Sequence, residues 1–399
     1  MANLPVSNSV PNNKLLGQVG AATLGRLIIN TSRRFVYPFA PAISRGLGVP
    51  LPAVTSLIAL NQAAGLLSPV FGTLSDRWGY RKMMLLALGL LGAGMISAGL
   101  FPLYAVLALG VVLGGLAKSV FDPALQAYIG QHATYERRGL FIGLMEMSWA
   151  GAALIGIPLA GLLIERVGWQ APFLALGLAG LAALLLLWLI IPRDDRADAA
   201  ATSGGFGAAW RVLRASPVAL AMLVYGFLMS LANDIVFVVY GAWLETDFGL
   251  GLVALGSATI VIGVAELTGE TLTAALADRL GKERSVVLGL VLTIAGYALL
   301  PIIGQTLPLA LLALFVSFIT FEFTVVTGFS LMTEVLPGAR ATMMASLLAT
   351  SSLGRMVGAL LGGALWLRGG MALVGPAAAL VTALGLLFLW WGLRRWRAA

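Results

Sequence analysis

Apolar residues in this 399-residue chain come in long unbroken blocks, without the short alternations of a water-soluble fold. A helix needs ~20 mostly apolar residues to cross a bilayer. Twelve blocks meet that length, near 15–43, 52–75, 83–101, 103–128, 139–164, 170–192, 217–244, 252–276, 285–304, 307–334, 341–367 and 371–393. They are numbered here as segments 1 to 12. The pattern predicts an all-α integral membrane protein with twelve transmembrane helices, the longer ones tilted or projecting into water. The longest polar stretch separates two sets of six. The expected organisation is a bundle over 1–192, a linker over 193–216 and a second bundle over 217–399. Ser203-Gly204-Gly205 suits such a linker, and Trp210-Arg211-Val212-Leu213-Arg214 suits a short helix on the membrane surface. The first thirteen residues are polar, with no signal-peptide pattern, and are expected to form a cytoplasmic tail.

Composition agrees with the blocks. Charged residues are 11% of the chain, against ~25% in a soluble domain. The absence of cysteine excludes disulfides and thiolate metal sites. The only histidine, His132, falls in a loop, and the chain has no Walker loop, so no metal, cofactor or ATP drive is expected. The net charge of +8 could suggest nucleic acid, but its placement gives a different meaning. Seventeen Lys and Arg residues fall on the side of the termini: Lys14, Arg77, Arg81, Lys82, Arg137, Arg138, Arg193, Arg196, Arg211, Arg214, Arg279, Lys282, Arg284, Arg340, Arg394, Arg395 and Arg397. Arg45, Arg166 and Arg368 alone fall on the other. This bias places both termini in the cytoplasm of a plasma (inner) membrane and leaves no nucleic-acid patch.

The chain also repeats itself. Gly72-Thr73-Leu74-Ser75-Asp76-Arg77-Trp78-Gly79-Tyr80-Arg81-Lys82 returns, degenerate, as Ala274-Ala275-Leu276-Ala277-Asp278-Arg279-Leu280-Gly281-Lys282-Glu283-Arg284, 202 residues later. The same offset pairs Arg138 with Arg340, Gly156 with Gly358, Gly161 with Gly363, and Ser32 with Asp234. One half is an echo of the other. Gly79 suits a turn with φ > 0, and Gly72 suits a close helix approach.

Six plus six helices, a central linker and the motif G-x-L-x-D-R-x-G-x-R-K at Gly72 to Lys82 together resemble the major facilitator superfamily over essentially the whole chain. Gly156-Ile157-Pro158-Leu159-Ala160-Gly161 looks like the Gly-Pro signature of its drug/proton antiporter branch, with Ile157 inserted and Ala160 in place of a glycine. Lys118 stands where such antiporters usually carry arginine. The resemblance implies alternating access, two bundles rocking about a midplane site. Segments 1, 4, 7 and 10 would line the cavity, 2, 5, 8 and 11 would form the interface between bundles, and 3, 6, 9 and 12 would face lipid. Asp76 would latch onto the helix N-terminus near Thr342, where a carboxylate is worth about 0.3–2 kcal/mol. Asp278 would mirror it near Gly139, Arg77, Arg81, Arg279 and Arg284 would join the same charge clusters, and Gly72 and Gly79 would shape the latch loop.

Charges inside the bilayer cost at least ~2.5–3.5 kcal/mol each on insertion scales and so call for a role. Arg26, Lys118, Asp122, Glu146, Asp234, Glu266, Glu270, Glu322 and Arg355 qualify, and none falls on segments 3, 6, 9 or 12. Lys118 and Asp122 are one turn apart and should pair. Arg33 and Arg34 are expected to snorkel to the outer interface. A carboxyl that loses and regains a cationic partner between two conformations can couple protons to transport. Glu322 with Arg355, and Asp234 with Arg26 or Arg33, are the candidate pairs. Asp234 and Glu322 lead as proton carriers, ahead of Glu146, Glu266 and Glu270. Arg26, Asn30, Lys118, Asp122, Asn233 and Arg355 are the substrate-cavity candidates. Tyr37, Tyr128, Tyr225, Tyr240 and Trp243 read as interfacial anchors. The expected function is proton-coupled export of a small amphipathic or hydrophobic compound by a monomer in the lipid bilayer. An organic-anion transporter is the alternative, and a transporter-like receptor a third reading. No enzymatic activity is expected.

Overall fold

The computed structural model describes residues 12–134, 137–192, 206–336 and 340–397, with no strand among them. Most of the expected N-terminal tail and most of the expected linker lie outside the described residues, and Asn12 and Asn13 begin the first helix. Ten described helices are long and apolar enough to cross a membrane. The twelve-pass count rests on two further features. The last of the ten, Thr342–Trp396, is broken by non-helical backbone at Gly369 and Gly370, and Gly370 has φ 56. The first helix, Asn12–Arg34, is absent from the ten. It carries Lys14, Arg26, Arg33 and Arg34, and its 23 residues continue past a turn into a second helix, Ala40–Leu47.

Breaks in the helices have local causes. Segment 1 reads as one helix in the sequence, but Pro38 and Pro41 lack backbone donors and the chain turns between Arg34 and Ala40. Segment 7 divides likewise, into Pro217–Phe237 and Tyr240–Phe248. Segment 5 contains a π-helical turn, Ala152–Gly156, just before Pro158. Proline cannot donate to a carbonyl four residues back, and a wide turn absorbs the mismatch. The loop glycines behave as the motif predicts: Gly79 has φ 92 and its repeat partner Gly281 has φ 84. The expected short helix in the linker is Phe206–Ala215, whose Leu213 is buried.

Glycines at the repeat offset occupy equivalent crossings. A Cβ on Gly156 would strike Thr31 of segment 1, and one on Gly358 would strike the Leu231 carbonyl and Asp234 Cβ of segment 7. These crossings lie within each half. Gly161 and Gly363 do the same between halves, against the Leu252 carbonyl and Thr55 respectively. Gly65 meets Ser352 between segments 2 and 11. The close approach expected at Gly72 is not there, since a Cβ would meet only Pro123 at 3.9 Å.

Gly358 tests this packing. Overpacking a close helix crossing costs typically about 1–3 kcal/mol. Gly358→Ala should lower the thermal midpoint of the purified protein, whereas Gly17→Ala, with open space around it, should not. Equal midpoints would contradict the crossing.

Candidate functional site

Seven of the nine charges expected inside the bilayer fall into three groups. The first lies within the N-terminal half. The Arg26 guanidinium donates to both carboxylate oxygens of Asp122, at 3.0 and 3.3 Å, and to Glu146 at 3.1 Å. It also donates to the Met145 carbonyl and the Ser148 hydroxyl. Lys118 pairs with Asp122 at 2.8 Å, one turn along the same helix, as the spacing predicts. Lys118 also donates to Asn30 Oδ1, and the Asn30 amide donates to Ser148. Two cations therefore meet two carboxylates; Arg26, Lys118 and Asp122 each have several partners, and Glu146 has Arg26.

The second group joins the halves. Arg34 makes a two-pronged pair with Glu266 of segment 8, at 2.7 and 2.9 Å. It donates in addition to the Trp149 carbonyl, and the Trp149 indole N–H donates to Glu266 at 3.2 Å. The guanidinium lies 4.4 Å from the Trp149 ring centre. Arg34 is 1% exposed, so the snorkelling expected of it is wrong. The physical reason is the turn before Pro38, which ends the helix inside the protein and leaves Arg34 facing segments 5 and 8.

The third group also crosses. The Tyr37 hydroxyl donates to Asp234 Oδ1 at 3.0 Å, and Gln62 donates to the Tyr37 oxygen at 2.6 Å. Arg33, also expected to snorkel, instead donates to Asn61 and Gln62. Arg355 reaches Asp234 Oδ2 at only 3.9 Å, and that oxygen accepts no hydrogen bond among the described residues. The cation near Asp234 is thus Arg355, not Arg26, which is already saturated by Asp122 and Glu146. Arg355 does not pair with Glu322, because it is drawn to Asp234. Asn233 accepts from Tyr297 at 3.2 Å. Around the Trp149 ring stand Arg34, Lys118 and Arg355, the last two with charged groups 5.4 and 5.9 Å from its centre.

Glu270 and Glu322 stand apart. No hydrogen bond or ion pair is found for either among the described residues. Glu322 abuts Gly269, next in sequence to Glu270.

Nearer the end of the molecule opposite the termini, further links join the halves. Arg45 pairs with Glu245 at 2.6 Å, and Glu165 accepts from the Val253 backbone N–H at 3.1 Å. Gly241 packs directly on the Pro38 backbone. On the terminal side the loop motif is more open. Arg77, Asp278 and Arg279 are exposed, and Arg81 donates to the Trp188 carbonyl. The side chain of Asp76 lies outside the described residues.

Sequence reasoning missed several of these residues. Tyr37, Tyr128, Tyr225, Tyr240 and Trp243 are buried, not interfacial. Tyr37 lies beyond the helix break, where a span count gives no depth. Gln62, Trp149 and Tyr297 carried no sequence signal, since one polar or aromatic residue in an apolar helix does not show which helix it faces.

The family model described as Major Facilitator Superfamily matches residues 22–269 and again 222–397. The chain is 26% identical over 357 residues to a protein of Lactococcus lactis named a homolog of the multi-drug resistance efflux pump PmrA, covering 86% of each chain. It is 27% identical over 301 residues to the class C tetracycline resistance protein of Escherichia coli, covering 72% of this chain and 74% of that one. In fold it is similar to a bacterial homolog of the human lysosomal transporter Spinster in an inward-facing, unoccupied conformation, with TM-score 0.78 and 15% identity over 97% of this chain and 98% of that one. Matched by the family model over nearly all its length, the chain belongs to the major facilitator superfamily and is a multi-pass membrane transporter.

Proposed function

We propose that this protein exports small amphipathic or hydrophobic compounds in exchange for protons, by alternating access of bundles 1–192 and 217–399 joined by 193–216. The observation that carries the coupling is the uneven pairing of the acids inside the membrane-spanning segments. Asp122, Glu146 and Glu266 each hold an arginine or lysine within hydrogen-bonding distance. Asp234 has one tyrosine hydroxyl and a distant arginine, and Glu322 has neither. A charge left uncompensated in the membrane is costly. For these two acids a proton is the remaining counter-charge.

Asp234 is tied to the conformational cycle through Tyr37. In the present arrangement the halves meet at the side opposite the termini, and Tyr37 reaches Asp234 across them. Opening that side would withdraw the hydroxyl and leave Asp234 to be satisfied by a proton from the newly connected water. Closing it would return Tyr37 to the carboxylate, beside Arg355 of the same half, and release the proton to the other side. This is the sequence an exporter driven by inward proton flow requires. The names of the relatives, a multidrug efflux pump homolog and a tetracycline resistance protein, support export. Glu146 and Glu266 then act as fixed links, with Glu270 a second partner for Glu322's proton. The Arg26–Lys118–Asp122 group, with Asn30, shapes the substrate cavity, and Asn233 and Arg355 do so from the other half. Gly72, Asp76, Arg77, Gly79, Arg81, Asp278 and Arg279 form the latch on the terminal side. The basic-residue bias places that side in the cytoplasm, with the protein a monomer in the plasma membrane.

Proteoliposomes with an imposed pH gradient and a panel of amphipathic dyes and antibiotics test this reading. Asp234→Asn or Glu322→Gln should reduce pH-driven transport by at least about tenfold while leaving gradient-free exchange measurable. Full pH-driven transport in both variants would refute the assignment. Loss in Glu266→Gln or Glu270→Gln alone would move the carrier to that residue. A reporter after Ala399 should be cytoplasmic, and Asp76→Asn should slow exchange as well as accumulation.

A further inference from the structure

The degenerate second copy of the loop motif ends in Glu283-Arg284, and these residues border a groove that the transport cycle leaves unused. The groove lies on the terminal side, between the start of Lys282–Ile303 and the end of the last helix. Its volume is about 550 Å³. Val287, Leu288, Val291 and Leu393 give it an apolar wall, and Trp390 closes one side. Arg284 and Arg394 stand at its polar end with Glu283, which leaves an excess of one positive charge. The Arg394 guanidinium lies 3.5 Å from the Trp390 ring centre, and the neighbouring Arg395 repeats the arrangement over Trp391 at 4.3 Å.

Three features describe the same kind of occupant. Val291 and Leu288 lie two turns and one turn deeper along the helix than Arg284, so polarity falls along one direction, at ~1.5 Å per residue. Leu288, Val291 and Trp390 are 47%, 49% and 48% exposed, so they face outside the protein, where only lipid offers an apolar partner. Tryptophan with arginine above it is the order found where hydrocarbon gives way to headgroups. A soluble anion would use the arginines and leave the apolar wall bare. A neutral lipid would use the wall and leave the excess charge unmet.

We propose that this groove binds one anionic phospholipid, its phosphate between Arg284 and Arg394 and an acyl chain along Val287, Leu288 and Val291. Basic pockets at helix ends bind anionic headgroups by this combination of charge and apolar contact. The site is independent of the transported compound, so its test does not rely on transport.

Native mass spectrometry of the full-length protein, released from micelles containing equal amounts of dioleoyl phosphatidylglycerol and dioleoyl phosphatidylcholine, reads the preference directly. The wild-type chain should retain the phosphatidylglycerol adduct at least about fivefold over phosphatidylcholine, the scale of one basic residue near an anionic surface. Arg284→Ala with Arg394→Ala should abolish that preference. Arg137→Ala with Arg279→Ala, which removes the same charge elsewhere, should keep it. Leu288→Trp retains every charge and fills the groove, and it too should lose the adduct. This second variant decides the matter if the double variant fails to fold. Equal retention of both lipids by the wild type, an unchanged preference in Leu288→Trp, or equal loss in the charge-matched control would each overturn the site. Displacement of the adduct by millimolar glycerol phosphate would assign the arginines to a soluble phosphate and overturn the lipid.

Discussion

A buried arginine from one half held by a buried glutamate of the other is the constraint around which the rest of this structure is arranged. Arg34 and Glu266 are 232 residues apart in sequence and meet through two hydrogen bonds at 1% and 5% side-chain exposure. Removing one member of such a pair costs about 3–5 kcal/mol, because the other charge is left uncompensated. That cost is the penalty of a stranded charge, so each member of the pair requires the other to stay opposite it across the halves. It also fixes Trp149, which gives a carbonyl to Arg34 and an indole N–H to Glu266. Lys118 and Arg355, one from each half, also stand 5.4 and 5.9 Å from the centre of that indole ring, so cations of both halves border one aromatic side chain.

Around this tie the two halves are built alike but charged differently. Gly156 and Gly358 hold equivalent crossings against segments 1 and 7. At those crossings the offset sets Ser32 in one half against Asp234 in the other. Duplication supplied the scaffold, and the charges were placed on it unequally. The N-terminal half neutralises Arg26 and Lys118 internally with Asp122 and Glu146. The C-terminal half instead exports its needs across the interface, to Tyr37 and Arg34. A transporter that rocks must break and remake such cross-half contacts, and that ties the pairing of Asp234 with Tyr37 to the position of the halves.

What the sequence made legible was local. Apolar blocks marked the spans because crossing a bilayer is a property of each segment by itself. The loop motif marked Gly79 and Gly281 because a φ > 0 turn needs one residue type. Lys118 and Asp122 were paired correctly because i, i+4 spacing defines a helix face. Failures began where a partner depended on helix rotation or on a break. Tyr37 and Arg34 were given a place at the membrane surface because segment 1 reads as one helix through Pro38. Glu322 and Arg355 lie at similar depth, yet Arg355 turns to Asp234, and depth alone does not reveal that choice. Segment 8, which carries Glu266, is expected at the interface between bundles, but the arginine that meets Glu266 can be named only once the break in segment 1 is located.

The chain has no cysteine, so a pair of introduced cysteines carries spin labels without further changes. Labels at Val167 and Asp247 report the spacing of the halves on the side opposite the termini, and labels at Leu140 and Leu280 report the terminal side. If Arg34–Glu266 is the tie, Glu266→Gln should shift part of the first distribution to longer distances and part of the second to shorter ones. Exchanging the charges, Arg34→Glu with Glu266→Arg, should return both toward the wild type. Distributions that stay the same in Glu266→Gln would contradict the account, because the halves would then be held together by something other than this pair.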